Sequence, residues 1–182
     1  MHAIKYRHKR ALEKELLSNA GFTFIELLVV VGVIAILFAV SVPSYEAFRK
    51  KASKAVCISR MRVIHVALDN HMIDNKQWPQ MPDAIFYAEG EKGETEFWKW
   101  WIETMDPYGA GETHWLCPAD VVRKESKVEY NGSYMPTKFD EHNFTPYRWA
   151  GQPWLIERGD FHKKGAHIMM LDGSIQNSQS VY

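Results

Sequence analysis

The chain has no excess of either charge, its 22 Lys and Arg residues being balanced by 22 Asp and Glu. That removes the electrostatic footprint of a protein that grips nucleic acid or an acidic polymer, and no nucleic-acid partner is expected. Cysteine is scarce, with only Cys57 and Cys117, so at most one internal disulfide can form. No internal repeat or low-complexity tract is present, which leaves one globular domain as the simplest count. Neither glycine nor proline occurs between Pro43 and Pro79, so nothing there punctuates a helix. No serine or cysteine sits in a recognisable nucleophile turn, and enzymatic activity is not expected.

What the chain does have is a sharp change of composition. Residues 1–21 carry Lys5, Arg7, Lys9, Arg10 and Lys14 against Glu13 and Glu15, a net of +3, so the remainder sums to −3. Phe22 to Val42 then form a run whose only formal charge is Glu26. As a helix such a run spans roughly 30 Å, one bilayer crossing. Basic residues before it and a soluble-looking remainder after it put the basic end in the cytoplasm and the C-terminal part across the membrane.

An ordinary secretory signal loses its apolar region with the leader. Here the distinctive sequence, Gly21-Phe22-Thr23-Phe24-Ile25-Glu26-Leu27-Leu28, precedes the apolar run, with a lone acid five residues past the glycine. An ionised carboxylate within hydrocarbon is costly unless it finds a partner, and a new amino terminus at Phe22 supplies one. If helices stack side by side, Glu26 of one subunit can neutralise the terminus of the next. Two rivals stand beside this: a plain signal anchor with Glu26 near the interface, and signal peptidase cleavage after Ala39-Val40-Ser41.

The junction resembles the processing site of type IV prepilins and type II secretion pseudopilins. That resemblance implies leader cleavage after Gly21 by a prepilin peptidase, N-methylation of Phe22 by the same enzyme, and a helix-bending role for Pro43. It also implies an inner-membrane, single-pass precursor with a periplasmic C-terminal domain, later drawn into a pilus or pseudopilus.

Beyond Pro43 the chain reads as helix to about Ile73, bent near Pro43 because the missing amide cannot bond to Ala39. Two stripes recur at helical spacing. One comprises Tyr45, Phe48, Ala52, Val56, Val63 and Val66; the other Cys57, Met61, Ile64, Leu68 and Met72. They lie on nearly opposite faces, so a single domain covers one and a neighbouring subunit's helix is expected to cover the other. A helix buried on both sides by its own domain is the alternative.

From Asn75 onward the pattern is short, aromatic and divided by proline. Residues 94–105 predict one short helix. Residues 127–130, Asn131-Gly132 and 133–135 read as a hairpin, residues 154–157 as a strand, and residues 166–171, Asp172-Gly173 and 174–178 as a second hairpin. The expected fold is α+β and pilin-like: a long N-terminal helix, half transmembrane, packed on a small antiparallel sheet of four or five strands. The expected segments are a cleaved leader (1–21), a transmembrane half-helix (22–43), an exported amphipathic half-helix (44–75) and a globular domain (76–182).

His162, nine intervening residues, then Asp172-Gly173 resembles the H-x9-D-G ending of a large group of bacterial prepilin-like proteins, and Cys57 and Leu116-Cys117-Pro118-Ala119-Asp120 resemble that group too. A Cys57–Cys117 bond would close a loop of about 60 residues, worth a few kcal/mol at most. Two buried thiols are the alternative, as is a metal site, since His114 and Cys117 have ligand-like spacing and His65, His71, His162 and His167 are available. No paired ligand motif reinforces the metal, and neither metal nor cofactor is expected. Related major pseudopilins bind calcium through acidic loops, but Glu157, Asp160 and Asp172 lack a loop pattern. His162 and Asp172 read as structural rather than as a catalytic pair, Asp172 being explained by its turn.

The reading is a structural subunit of a pilus or type II secretion pseudopilus whose partners are prepilin peptidase, other pilin or pseudopilin subunits and the inner membrane. A membrane-anchored, non-polymerising surface binding protein with an aromatic-rich domain is the alternative.

Overall fold

The computed structural model describes residues 22–126, 128–142 and 145–180, with the side chains of residues 42–44 and 180 left aside. The expected leader, Gly21 included, lies outside the described residues. The chain divides into two compact units, one ending at Glu46 and the other Ala47–Tyr182.

Helix α1 runs Phe24–Asn75, 52 residues, with Pro43 inside it. Good helix formers without glycine or proline beyond Pro43 carry it through. It ends where Lys76 adopts φ 59°, a left-handed residue that turns the chain out of the helix. Of its segment within the second unit, Cys57, Met61, Ile64 and Leu68 are fully buried and Met72 nearly so. That is the stripe expected to face the domain.

Three short helices and one longer one follow: α2 (Asp83–Phe86), α3 (Gly90–Met105), α4 (Val121–Lys124) and α5 (Thr145–Arg148). Helix α3 begins four residues before the expected Glu94 and buries Trp98, Trp101, Ile102 and Met105 along one face. Strands β1 (Tyr134–Pro136), β2 (Leu155–Glu157), β3 (His167–Met169) and β4 (Ile175–Asn177) pair in chain order as an antiparallel meander. The core joins the α1 stripe to Trp78, Trp98, Trp115, Trp154, Tyr134, Leu155 and Met169, all fully buried.

The second expected hairpin is present, β3 and β4 being joined through residues 170–174 with Gly173 at φ 75°. The first is not. Residues 128–130 form no strand, and β1 pairs instead with β2, Met135 opposite Ile156. The reason lies in how Asn131-Gly132 is used. The Asn131 side-chain amide donates to the Arg123 carbonyl at 3.0 Å. Gly132 lies against the indole of Trp98, where any Cβ would overlap the ring. The glycine therefore serves close packing, and a tight two-residue turn is not made.

Candidate functional site

Thr23 and Glu26 cap the start of α1 reciprocally. Glu26 Oε2 accepts from the Thr23 amide and from its hydroxyl, both at 2.8 Å, while the Glu26 amide donates to Thr23 Oγ1 at 3.3 Å. This is a capping box, which satisfies amides that an α-helix leaves unpaired at its first turn. Its sequence signal is Thr-x-x-Glu, a pattern that an isolated charge in an apolar run masks. The cap uses Oε2, so Oε1 remains available to a second partner.

Phe22 is 75% exposed, and the apolar side chains from Phe24 to Val40 are exposed throughout. By length and composition this helix suffices to cross a membrane. Further along, Tyr45, Phe48, Ala52, Val56 and Val66 are exposed and Val63 is half-buried. Within the second unit, Phe48, Ala52, Val56 and Val66 of the stripe opposite the core-facing one are therefore left uncovered, while Val63 packs against the core.

Cys57 and Cys117 are joined by a disulfide, with Cα atoms 5.2 Å apart and a sequence separation of 60. Several polar groups hold the Cys117 loop in place. Arg60 donates to the Leu116 carbonyl. The Cys117 amide donates to Ser133 Oγ at 2.9 Å, and that hydroxyl donates to Asp120 Oδ2 at 2.7 Å. Asp120, 1% exposed, also accepts from the Arg123 guanidinium at 2.8 Å and caps α4 through the Arg123 amide.

Around the disulfide lie groups that no sequence signal brought together. Glu157, 2% exposed, stands on β2 one step beyond the Ile156–Ile168 pair, so its neighbour on β3 is His167. Its Oε2 accepts the His167 amide at 3.0 Å and lies 2.8 Å from His167 Nδ1. Its Oε1 is 3.2 Å from Cys57 Sγ and 3.7 Å from His162 Nε2. His162 Nε2 is also 3.4 Å from Cys117 Sγ, and the Tyr134 hydroxyl is 2.9 Å from Cys57 Sγ. Burial pushes the Tyr134 phenol up and the His162 imidazole down, the nearby Glu157 charge opposing the latter.

The two ends of the H-x9-D-G pattern serve different places. His162 faces the disulfide, whereas Asp172 Oδ1 accepts the Ser174 amide at 2.9 Å, and the Ser174 hydrogen bonds hold its carboxyl below the usual range. Gly173 lies beside the His65 ring, and His65 Nε2 reaches the Leu171 carbonyl at 2.8 Å. The three acids considered for calcium likewise have separate surroundings: Glu157 is paired with His167, Asp160 accepts the Lys164 amide and Asp172 serves its own turn. His114, with ligand-like spacing to Cys117, bonds instead to the Gly111 carbonyl.

His71 supplies a pH dependence. Burial is the main cause lowering its pKa, opposed by a backbone hydrogen bond with Gln77 and the charge of Asp74. The unfolded chain therefore binds more protons than the folded one over the interval below the ordinary imidazole value. Stability is full above about pH 6.5 and declines as the pH falls from there through the folded pKa. Denaturation midpoints are expected to fall between pH 7 and 5, with a shallower slope in His71→Phe.

A long apolar N-terminal helix followed by a small four-stranded antiparallel sheet defines a pilin-like α+β protein. The prokaryotic N-terminal methylation motif matches residues 16–42. Type IV major fimbrial protein FimA of Dichelobacter nodosus is 31% identical over 112 residues, 60% of this chain and 65% of the relative. Type II secretion system core protein G of Escherichia coli K12 is 33% identical over 70 residues, 38% of this chain and 46% of the relative. Prepilin peptidase-dependent protein D of the same organism is 54% identical over 36 residues, 20% of this chain and 25% of the relative. No solved structure matches the chain. The chain carries the prepilin-type N-terminus and is related to type IV pilins and type II secretion pseudopilins, while spanning less than two-thirds of these relatives' own lengths. The motif overlaps the start of an apolar helix that is long enough to cross a membrane.

Proposed function

We propose that the chain is a structural subunit of a pilus or type II secretion pseudopilus. The observation that carries this reading is a prepilin-type motif at the head of a helix whose apolar first stretch, Phe24 to Val40, is exposed throughout. Prepilin peptidase removes residues 1–21 after Gly21 and methylates Phe22. The precursor waits in the inner membrane as a single-pass protein with its C-terminal domain in the periplasm, and Pro43 bends the helix at the membrane exit. Subunits then pack through α1, with the Phe22 terminus of one neutralised by Glu26 of its neighbour. The uncovered stripe from Tyr45 to Val66 supports this packing, because exposed apolar area of that extent is stabilised by burial at about 25 cal/mol per Å². His162, Asp172 and Gly173 act in the architecture of the domain, and the chain performs no catalysis of its own.

The test is mass spectrometry of the protein from its host. A mature chain beginning at N-methylated Phe22 is expected; an intact leader or a different first residue refutes the reading. Cysteines placed at Phe48 and Val66 are expected to crosslink neighbouring subunits in sheared filaments. A non-polymerising surface binding protein would yield monomer only.

A further inference from the structure

A disulfide needs neither a carboxylate nor an imidazole beside it, yet this one has both. Cys57 and Cys117 are fully buried, and the side chains of Glu157 and His162 are 0% and 6% exposed. A buried carboxylate packed against sulfur carries a desolvation cost that the disulfide does nothing to offset.

The four donor atoms, two Sγ, Glu157 Oε1 and His162 Nε2, all lie within 4.8 Å of one another. Tetrahedral zinc bonds of about 2.0–2.3 Å place neighbouring ligand atoms about 3.3–3.8 Å apart. Three edges of such a tetrahedron already exist: Cys57 Sγ to Glu157 Oε1 at 3.2 Å, Cys117 Sγ to His162 Nε2 at 3.4 Å, and His162 Nε2 to Glu157 Oε1 at 3.7 Å. Of the other three edges, the sulfur–sulfur one, a covalent bond here, has to open, and the two that cross from each sulfur to the far ligand lie within 4.8 Å. The surroundings are those of a supported metal site. His167 holds Glu157 by its other oxygen, leaving Oε1 for the metal, and the Tyr134 hydroxyl can donate to the Cys57 thiolate. Ser133 and Asp120 hold the loop that carries Cys117.

We propose that Cys57, Cys117, Glu157 and His162 form a zinc site when the cysteine pair is reduced, so that one cluster holds the helix to the domain in two chemical forms. A dithiol reductant gives two electrons and two protons to the Cys57–Cys117 bond and is itself oxidised to a disulfide. Zinc then displaces the two thiol protons and is bound by two thiolates, one carboxylate oxygen and the neutral imidazole. This set differs from the one suggested by sequence spacing, in which His114 was the candidate partner of Cys117.

Cobalt(II) is the probe. The full chain in detergent, reduced with a phosphine, is expected to take up one cobalt ion. The expected signature is a thiolate-to-metal charge-transfer band and the intense visible bands of four-coordinate cobalt, both erased by equimolar zinc. His162→Ala and Glu157→Gln are expected to weaken binding at least about a hundredfold, and the unreduced chain is expected to bind none. Should reduction unfold the domain, restoration of its buried-tryptophan emission by zinc supports the site. Four outcomes overturn the proposal: no cobalt uptake, weak six-coordinate bands, wild-type affinity in both variants, or a reduced chain that stays unfolded with zinc present.

Discussion

Trp154→Ala is expected to cost about 3–5 kcal/mol, enough to leave the domain largely unfolded. The indole is fully buried where α1, the segment after it and the sheet meet. It stacks on His65 at 4.9 Å, meets Trp78 edge-on at 5.1 Å and touches Tyr147 at 5.8 Å. Its Nε1 donates to the Pro146 carbonyl at 3.4 Å, while its backbone links Met169 on one side and Thr137 on the other. Alanine leaves a cavity lined by rings that cannot collapse without breaking their own contacts. Trp149, five residues away and 56% exposed, provides the contrast: Trp149→Ala is expected to stay within about 0.5 kcal/mol of wild type. Urea unfolding of the two variants by circular dichroism checks both, and equal costs would refute the assigned core.

The second large effect concerns Glu26 and rests on the proposed assembly. Its carboxylate has a local role in the cap with Thr23 and a proposed role in pairing with a neighbour's terminus. The two separate by mutation. Thr23→Val removes the hydroxyl side of the cap, a loss of about 1 kcal/mol, and is expected to leave filament yield close to wild type. Glu26→Gln keeps a hydrogen-bonding amide but abolishes the charge, stranding the neighbouring ammonium in a low-dielectric layer. Several kcal/mol are at stake there, and filament yield is expected to fall at least about tenfold with processing intact. The sheared surface fraction, compared with total processed subunit, measures this. Wild-type filament yield in Glu26→Gln refutes the charge pair.

Much of the fold was legible because it rests on periodicity. The core-facing stripe, the short aromatic helix and the Asp172-Gly173 hairpin follow from spacing and turn chemistry, and each appears in the structure. The 127–135 hairpin is not formed because Asn-Gly has two uses. A tight turn needs glycine for its backbone angles, whereas Gly132 is needed because the Trp98 ring occupies the space of a side chain. Nothing local distinguishes these, since Trp98 is distant in sequence. The polar cluster was hidden for the same reason: Cys57, Cys117, Glu157 and His162 span more than a hundred positions and meet only through strand pairing and helix packing. Asp120 closes the Leu116-Cys117-Pro118-Ala119-Asp120 motif, but its partner Ser133 and the loop they hold together emerge only from the folded chain.

The Cys57–Cys117 staple has a further consequence for how the protein tolerates being cut. Between the two cysteines, Glu89 and Gly90 are exposed at the turn leading into α3. A glutamate-specific protease that clips there severs the backbone yet releases nothing, because both pieces remain covalently tied. On a non-reducing gel the clipped protein runs as one species, and it parts into two fragments once thiol is added.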